Sequence, residues 1–295
     1  MKITISILDF FSKGSYTGWR SGRYLYQVEA IDPEEILMAA IWLNLYTLIF
    51  GLCIGSFLNV CIHRLPLEQS IVHPPSACPH CNTRIRWYDN LPVISFLLLR
   101  GRCRGCKAPI SIRYPLVELL TGMAALSVFL RFGLTWSALI YFIFIAALLV
   151  ITFIDIDHRI IPDVISLPGI PMGFAASFVL PRLAWSDSLL GILIGGGILL
   201  AIAWGYRLIT GKDGMGGGDI KLLAMIGAFL GWRGVLFTVM ASSFIGTVVG
   251  LTLMIRAGKG MKLAIPFGPF LALGAICYLF FGPAVISWYL YDFLR

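Results

Sequence analysis

The chain has 295 residues, 58% of them hydrophobic and 13% charged, with a mean hydropathy of +0.86. Soluble domains are about 45–50% apolar and about 25% charged, so this composition excludes a disordered chain and an ordinary soluble enzyme, and predicts an all-α protein that crosses a membrane several times. Its net charge of +8 reads first as topology and contact with anionic lipid; nucleic acid is not an expected partner, because only one short segment is both polar and basic.

In chain order, residues 1–35 form a polar to mixed tail with no assigned role. It lacks the early apolar core and small-residue cleavage site of a removable signal peptide. Ile36 to Ile62 carries no charge and is long enough to span about 30 Å of hydrocarbon. Residues 63–113 are the one extended polar region inside the chain. Seven further apolar segments follow: between Arg113 and Arg131, Phe132 to Ile154, Val164 to Pro181, Ser188 to Tyr206, the short Leu222 to Trp232, Gly234 to Ile255, and Leu263 to Tyr291, which Pro266, Pro269 and Pro283 interrupt. About eight transmembrane helices are expected. The expected division is a tail (1–35), a first transmembrane helix (36–62), a cytoplasmic four-cysteine module (63–113) and a helical membrane domain (114–295).

With eight spans, residues 63–113 and the loops near 159, 210 and 259 share one side and hold 15 of the 23 Lys and Arg. The positive-inside rule places that side in the cytoplasm, and both chain ends outside.

Cys78-Pro-His-Cys81 and Cys103-Arg-Gly-Cys106 are separated by 21 residues. Each pair fits a tight turn that aims two thiolates at one point, and two such turns complete a tetrahedral zinc site with four cysteine ligands. The alternatives are free thiols or two disulfides. Four protein ligands close the coordination sphere, which marks the metal as structural, and a segment this small needs it to fold. His80 is a weak rival ligand. Cys53, Cys61 and Cys277 lie in apolar runs and read as packing residues.

Ionisable groups within membrane helices are costly and are functional candidates by default. Three stand out: Glu118, Asp155 and Asp219. Asp155 closes the third segment and Asp219 opens the sixth. Two spans separate them, so both lie on the cytoplasmic side at similar depth, where they could face one another. Such a pair shares a proton and titrates in two coupled steps, and one carboxyl can activate water while the other donates to a carbonyl oxygen. Gly216-Gly217-Gly218 lets a substrate backbone approach without meeting a Cβ. The competing reading is that these acids cap helices or pair with Arg159, Lys212 and Lys221. Asp163 and Asp187, each just before a segment, read as helix caps. Asp157, two residues from Asp155, points to another helix face, and Asp213 reads as a solvated loop residue. An ion-coupled transporter and a non-enzymatic zinc-bearing scaffold are the other classes these features allow. A transporter predicts acids near mid-membrane and internal repeats, neither of which is evident.

The order of motifs resembles a known family. Gly55-Ser56-Phe57-Leu58-Asn59-Val60 with His63-Arg64-Leu65-Pro66 is followed by the two cysteine pairs, with Trp87-Tyr88-Asp89-Asn90-Leu91-Pro92-Val93 between them. Then come Arg113-Tyr114-Pro115-Leu116-Val117-Glu118, Phe153-Ile154-Asp155 through Pro162-Asp163, and Gly216-Gly217-Gly218-Asp219. Over roughly residues 45–290 the chain resembles the bacterial type IV prepilin peptidases, which are G-x-G-D membrane aspartyl proteases and also N-methyltransferases. The resemblance implies an enzyme of the bacterial inner membrane, facing the cytoplasm. It would cut the basic leader from type IV prepilins and type II secretion pseudopilins, then methylate the new N-terminus with S-adenosylmethionine. It implies Asp155 and Asp219 as the catalytic pair and Cys78, Cys81, Cys103 and Cys106 as the zinc ligands. No strand-then-glycine-loop signature of a soluble methyltransferase is present, so a methyl-donor pocket must be built from residues 63–113 and adjoining helix ends. Glu118 is either a participant there or the ion-pair partner of Arg113 or a neighbouring basic residue.

Overall fold

The structure is a computed structural model and describes residues 32–211, 216–257 and 266–288. The tail as far as residue 31, Lys212, Asp213, and the loop with Lys259 and Lys262 lie outside the described residues. Within them the regular structure is helical: α1 (Pro33–Arg64), α2 (Ile94–Leu98), α3 (Arg113–Phe132), α4 (Trp136–His158), α5 (Asp163–Ala176), α6 (Trp185–Thr210), α7 (Gly217–Ala257) and α8 (Gly268–Trp288). Two isolated β-bridges, Ala77 with Arg84 and Arg102 with Pro109, are the extended pairings among these residues.

Six of these helices are long and apolar enough to cross a membrane. One of the six, α7, is two limbs joined at Gly231, whose φ of 73° and ψ of 177° leave helical space. A positive φ of this kind is adopted readily by glycine alone. The chain reverses there: Gly227 and Val235, four residues to either side, lie against each other. Counting both limbs and the short α5, eight apolar helical segments match the eight expected from the sequence. The short sixth segment gains length from Gly217 to Lys221, and the fourth stops at Ala176, earlier than its apolar run.

Local signals set the ends. Asp32 caps α1 by accepting the Glu34 amide at 3.0 Å, with Glu34 and Glu35 in the first turn and His63 and Arg64 in the last, the charge order that the helix dipole favours. Thr135 caps α4 through the Ala138 amide. Two expected caps fail. Asp163 makes no capping bond and pairs instead with Lys221 at 2.8 Å. Asp187 lies inside the first turn of α6 and accepts the Trp232 indole N–H at 3.2 Å. In both cases a long-range partner displaces the local one.

Helix association in lipid depends on close packing, since lipid tails are as apolar as leucine. At the α6–α7 contact a Cβ on Gly227 would stand 2.1 Å from the Gly191 carbonyl oxygen. The two backbones therefore touch, and the Ser188 hydroxyl adds a 2.7 Å bond to the Ala228 carbonyl. α4 and the first limb of α7 occupy the centre: Phe144, Ile145, Leu148 and Ile151 pack with Leu222, Leu223, Met225 and Ile226, all fully buried, while Ile154 packs with Leu58, Ile62 and Val117 of α1 and α3. Trp42, Ile49 and Phe244 are exposed, as lipid-facing side chains of a membrane bundle should be. α1 runs antiparallel to α3, and the Asn59 amide donates to the Tyr114 carbonyl at 3.1 Å. Arg113 bonds to Asp157 and to the Phe153 carbonyl, Lys221 to Asp163, and the Gly268 amide to Asp155. These bonds gather the ends of α1, α3, α4, α5, α7 and α8 at one end of the bundle, the end from which the cysteine module projects.

Candidate functional site

Two centres lie at this end. The first is the cysteine cluster. The thiol sulfurs of Cys78, Cys81, Cys103 and Cys106 all lie within 4.8 Å of one another and could hold a metal ion. All four cysteines are free. Cys78 Sγ and Cys106 Sγ stand 3.8 Å apart, far beyond a disulfide bond of about 2.05 Å. Metal–sulfur bonds of about 2.3 Å in a tetrahedron place sulfurs about 3.8 Å apart, so the spacing suits a four-thiolate site and argues against two disulfides.

The two pairs are copies of one turn, offset by 25 residues. In the first, the Cys78 amide donates to the Thr83 carbonyl and the Asn82 amide to the Cys78 carbonyl. In the second, the Cys103 amide donates to Ala108 and the Lys107 amide to Cys103. The residue after each second cysteine is left-handed, with φ of 53° at Asn82 and 61° at Lys107. Each turn thus points both sulfurs inward. The Thr83 side chain and amide hold the Cys81 thiol down at about 6, and the backbone of Cys106 and Gly105 lowers Cys103. The Ala108 amide pulls Cys106 down, but burial and the neighbouring thiols outweigh it and push it up to about 11. Four clustered thiols cannot all ionise without a cation among them. His80 stands outside the cluster.

The second centre is built from the membrane acids. Asp155 is 5% exposed near the end of α4, and its Oδ2 accepts the Gly268 amide at 2.9 Å. Asp219 is the third residue of α7. Asp155 bonds the start of α8, and Lys221, two residues after Asp219, bonds the start of α5, so both acids lie at the same end of the bundle. Among the described residues, Lys221 is engaged by Asp163 and Arg113 by Asp157, so the expected alternative of a pair with Lys221 does not hold for Asp219. Asp157 lies on a different face of α4 from Asp155. In the glycine run, Gly216 and Gly217 have open space where a Cβ would stand, while Gly218 packs on Ile161.

Glu118 does not pair with Arg113. It is buried, and its Oε2 accepts the Val93 amide at 2.7 Å. Val93, at φ 61° and ψ −47°, is the centre of a γ-turn closed from the Ile94 amide to the Pro92 carbonyl, a strained conformation for a β-branched residue. The buried glutamate thus anchors the cysteine module's arm onto α3. Sequence reasoning missed both this anchor and Gly268. The stretch Pro266-Phe267-Gly268-Pro269 carries the proline signature of a helix start, which places a free amide there without naming its acceptor.

The chain matches two family descriptions: Bacterial Peptidase A24 N-terminal domain over residues 49–132 and Type IV leader peptidase family over residues 142–251. It is 38% identical over 270 residues to the prepilin leader peptidase/N-methyltransferase of Aeromonas hydrophila, covering 83% of this chain and 93% of that one. It is 39% identical over 270 residues to the protein of the same name from Stutzerimonas stutzeri, with the same coverage. To that of Pseudomonas aeruginosa it is 38% identical over 269 residues, again covering 83% and 93%. No solved structure matches the chain. The four-cysteine module falls within the first matched region and both membrane aspartates within the second, and the chain belongs to the type IV leader peptidase family.

Proposed function

We propose that the protein removes the leader from type IV prepilins and type II secretion pseudopilins, and then methylates the exposed N-terminus. Asp155 and Asp219 are the catalytic pair. The observation that carries this reading is that both acids lie at one end of the bundle, while among the described residues Lys221 is paired with Asp163 and Arg113 with Asp157. One carboxylate takes a proton from water as its oxygen attacks the scissile carbonyl carbon. The other carboxyl, protonated, donates to the carbonyl oxygen. Collapse of the tetrahedral species breaks the C–N bond, and the proton taken from water passes to the leaving amine. The Gly268 amide fixes Asp155 Oδ2 so that the carboxylate keeps its orientation through the cycle.

A prepilin presents its scissile bond at the end of an apolar helix. Lateral entry between membrane helices brings that bond to the depth of the two acids, and the substrate must unwind there because a helical peptide bond is shielded. The side facing the cytoplasm of the inner membrane is the end with the cysteine module, following the excess of basic residues.

The four cysteines hold zinc in a structural role, which makes the module's two turns fold as one unit. The arm between them rests on membrane lipid. Its Trp87, Leu97 and Leu98 are 80%, 67% and 75% exposed, and Arg86, Arg100 and Arg104 are exposed beside them, a mixture suited to an anionic interface. A glutamate carboxyl reaches about 5 Å from its own Cα, while Glu118 lies five residues, about 7.5 Å, into α3. The Val93 amide bonded to it is therefore held near the level of the first turn of α3. The methyl donor, S-adenosylmethionine, supplies an electrophilic methyl group on a sulfonium sulfur.

Purified protein incubated with a prepilin, with and without S-adenosylmethionine, tests the reading by mass spectrometry of the pilin N-terminus. Loss of the leader, and one added methyl mass only when the donor is present, are expected. An intact prepilin in both reactions would refute it.

A further inference from the structure

On the far side of α4 from Gly268, between the ends of α1, α3 and α4, lies a cavity of about 170 Å³ that no step of leader removal uses. Polar groups share its lining with Ile62: Asn59 and His63 from α1, Arg113 and Tyr114 from α3, Asp157 and His158 from α4. Residues two apart on a helix point to nearly opposite faces, so Asp155 turns to the dyad while Asp157 turns to this cavity. Arg113 is held in place by the Phe153 carbonyl at 2.9 Å and stands against Asp157. The Asn59 amide nitrogen is fixed on the Tyr114 carbonyl at 3.1 Å, which leaves its oxygen as an acceptor.

A guanidinium beside a carboxylate matches an α-amino acid head. The guanidinium suits a carboxylate in fork geometry, and the aspartate suits an ammonium. The volume is below the ~300–1,000 Å³ of sites that enclose a whole small molecule, so the cavity takes a head group and leaves the rest of its ligand at the mouth, among the rings of His63, Tyr114 and His158. S-adenosylmethionine has this construction: an α-amino acid head, a sulfonium and a nucleoside. The cavity also joins the two matched regions, with α1 and α3 from 49–132 and α4 from 142–251. We propose that this cavity is the methyl-donor site, with the Arg113–Asp157 pair reading the amino and carboxylate groups of the donor's head. The assignment rests on the transferase half of the proposed function and locates it on the face of α4 opposite the peptidase pair.

The test is equilibrium binding to the full chain in nanodiscs. S-adenosylhomocysteine keeps the amino acid head, and 5′-methylthioadenosine lacks it. Asp157→Asn should weaken S-adenosylhomocysteine at least ~10-fold and leave methylthioadenosine unchanged, while Asp163→Asn should match wild type for both. His63→Ala, at the mouth, should weaken both ligands. Unchanged S-adenosylhomocysteine binding by folded Asp157→Asn, or equal weakening of both ligands by it, would overturn the assignment while leaving the transferase reading in place. Wild-type protein that binds neither ligand would overturn both. If Asp157→Asn does not fold, unchanged binding by His63→Ala overturns the placement.

Discussion

Gly268→Ala is the perturbation that reaches the proposed catalytic pair without altering an acid. A Cβ at position 268 would stand 2.7 Å from Asp155 Oδ2 and 3.2 Å from its Cγ. Ordinary contact begins near 3.4 Å, so the carboxyl and the start of α8 must separate by about 0.7 Å, and the 2.9 Å bond from the Gly268 amide is bent or lost. Misplacement of a reacting group by about 1 Å costs on the order of 100-fold in rate. Gly268→Ala should therefore reduce the turnover of leader removal by about 10- to 100-fold, with the helical content and the metal content of wild type. Single-turnover cleavage of a prepilin in nanodiscs measures this, free of product release. A folded Gly268→Ala protein that cuts at the wild-type rate would refute the role given to this contact and weaken the placement of Asp155 at the reacting centre.

Other outcomes follow from the same geometry. Gly227→Ala drives a methyl group against the Gly191 carbonyl oxygen, 2.1 Å away in the present packing; it should destabilise the bundle by roughly 1–3 kcal/mol, and an unchanged denaturation midpoint in detergent would contradict the backbone contact. One metal ion per chain is expected by elemental analysis of protein purified without added metal, and Cys103→Ser should lose it; a metal-free protein whose 63–113 region resists proteolysis as wild type does would refute the site. Cleavage should be bell-shaped in pH, because the pair works only when singly protonated; a rate that climbs continuously into strongly alkaline solution is incompatible with that. The emission lost in Trp87→Phe should be quenched by brominated lipid and not by iodide in water, and the reverse pattern would place the arm in solvent.

The membrane segments were legible because lipid demands long apolar runs. The cysteine cluster was legible because two C-x-x-C turns converge on one point. The placement of Asp155 and Asp219 at the same end of the bundle could be read from parity, since two crossings between them return the chain to one side. What the sequence concealed depends on contacts between distant residues. Asp163 and Asp187 have the residue type and position of caps, yet Lys221 and Trp232 claim them from 58 and 45 residues away. Arg113 stands near Glu118 in sequence but bonds Asp157, 44 residues on, while Glu118 turns to the Val93 amide. Backbone donors such as Gly268 and Val93 leave no mark in side-chain chemistry, so no motif announces them. The reversal was expected between the sixth and seventh segments, at residues 232–234, and falls at Gly231; which glycine carries the turn left no mark in the sequence.

Leader removal depends most directly on the acid pair. Wild-type protein, Asp155→Asn and Asp219→Asn, each in nanodiscs and each verified as folded and metal-loaded, are incubated with a prepilin and the products weighed by mass spectrometry. Both substitutions preserve side-chain volume and remove one titrating group, so each should leave the leader attached while wild type removes it. Substantial leader removal by either folded variant would contradict the assignment of Asp155 and Asp219 as the catalytic pair.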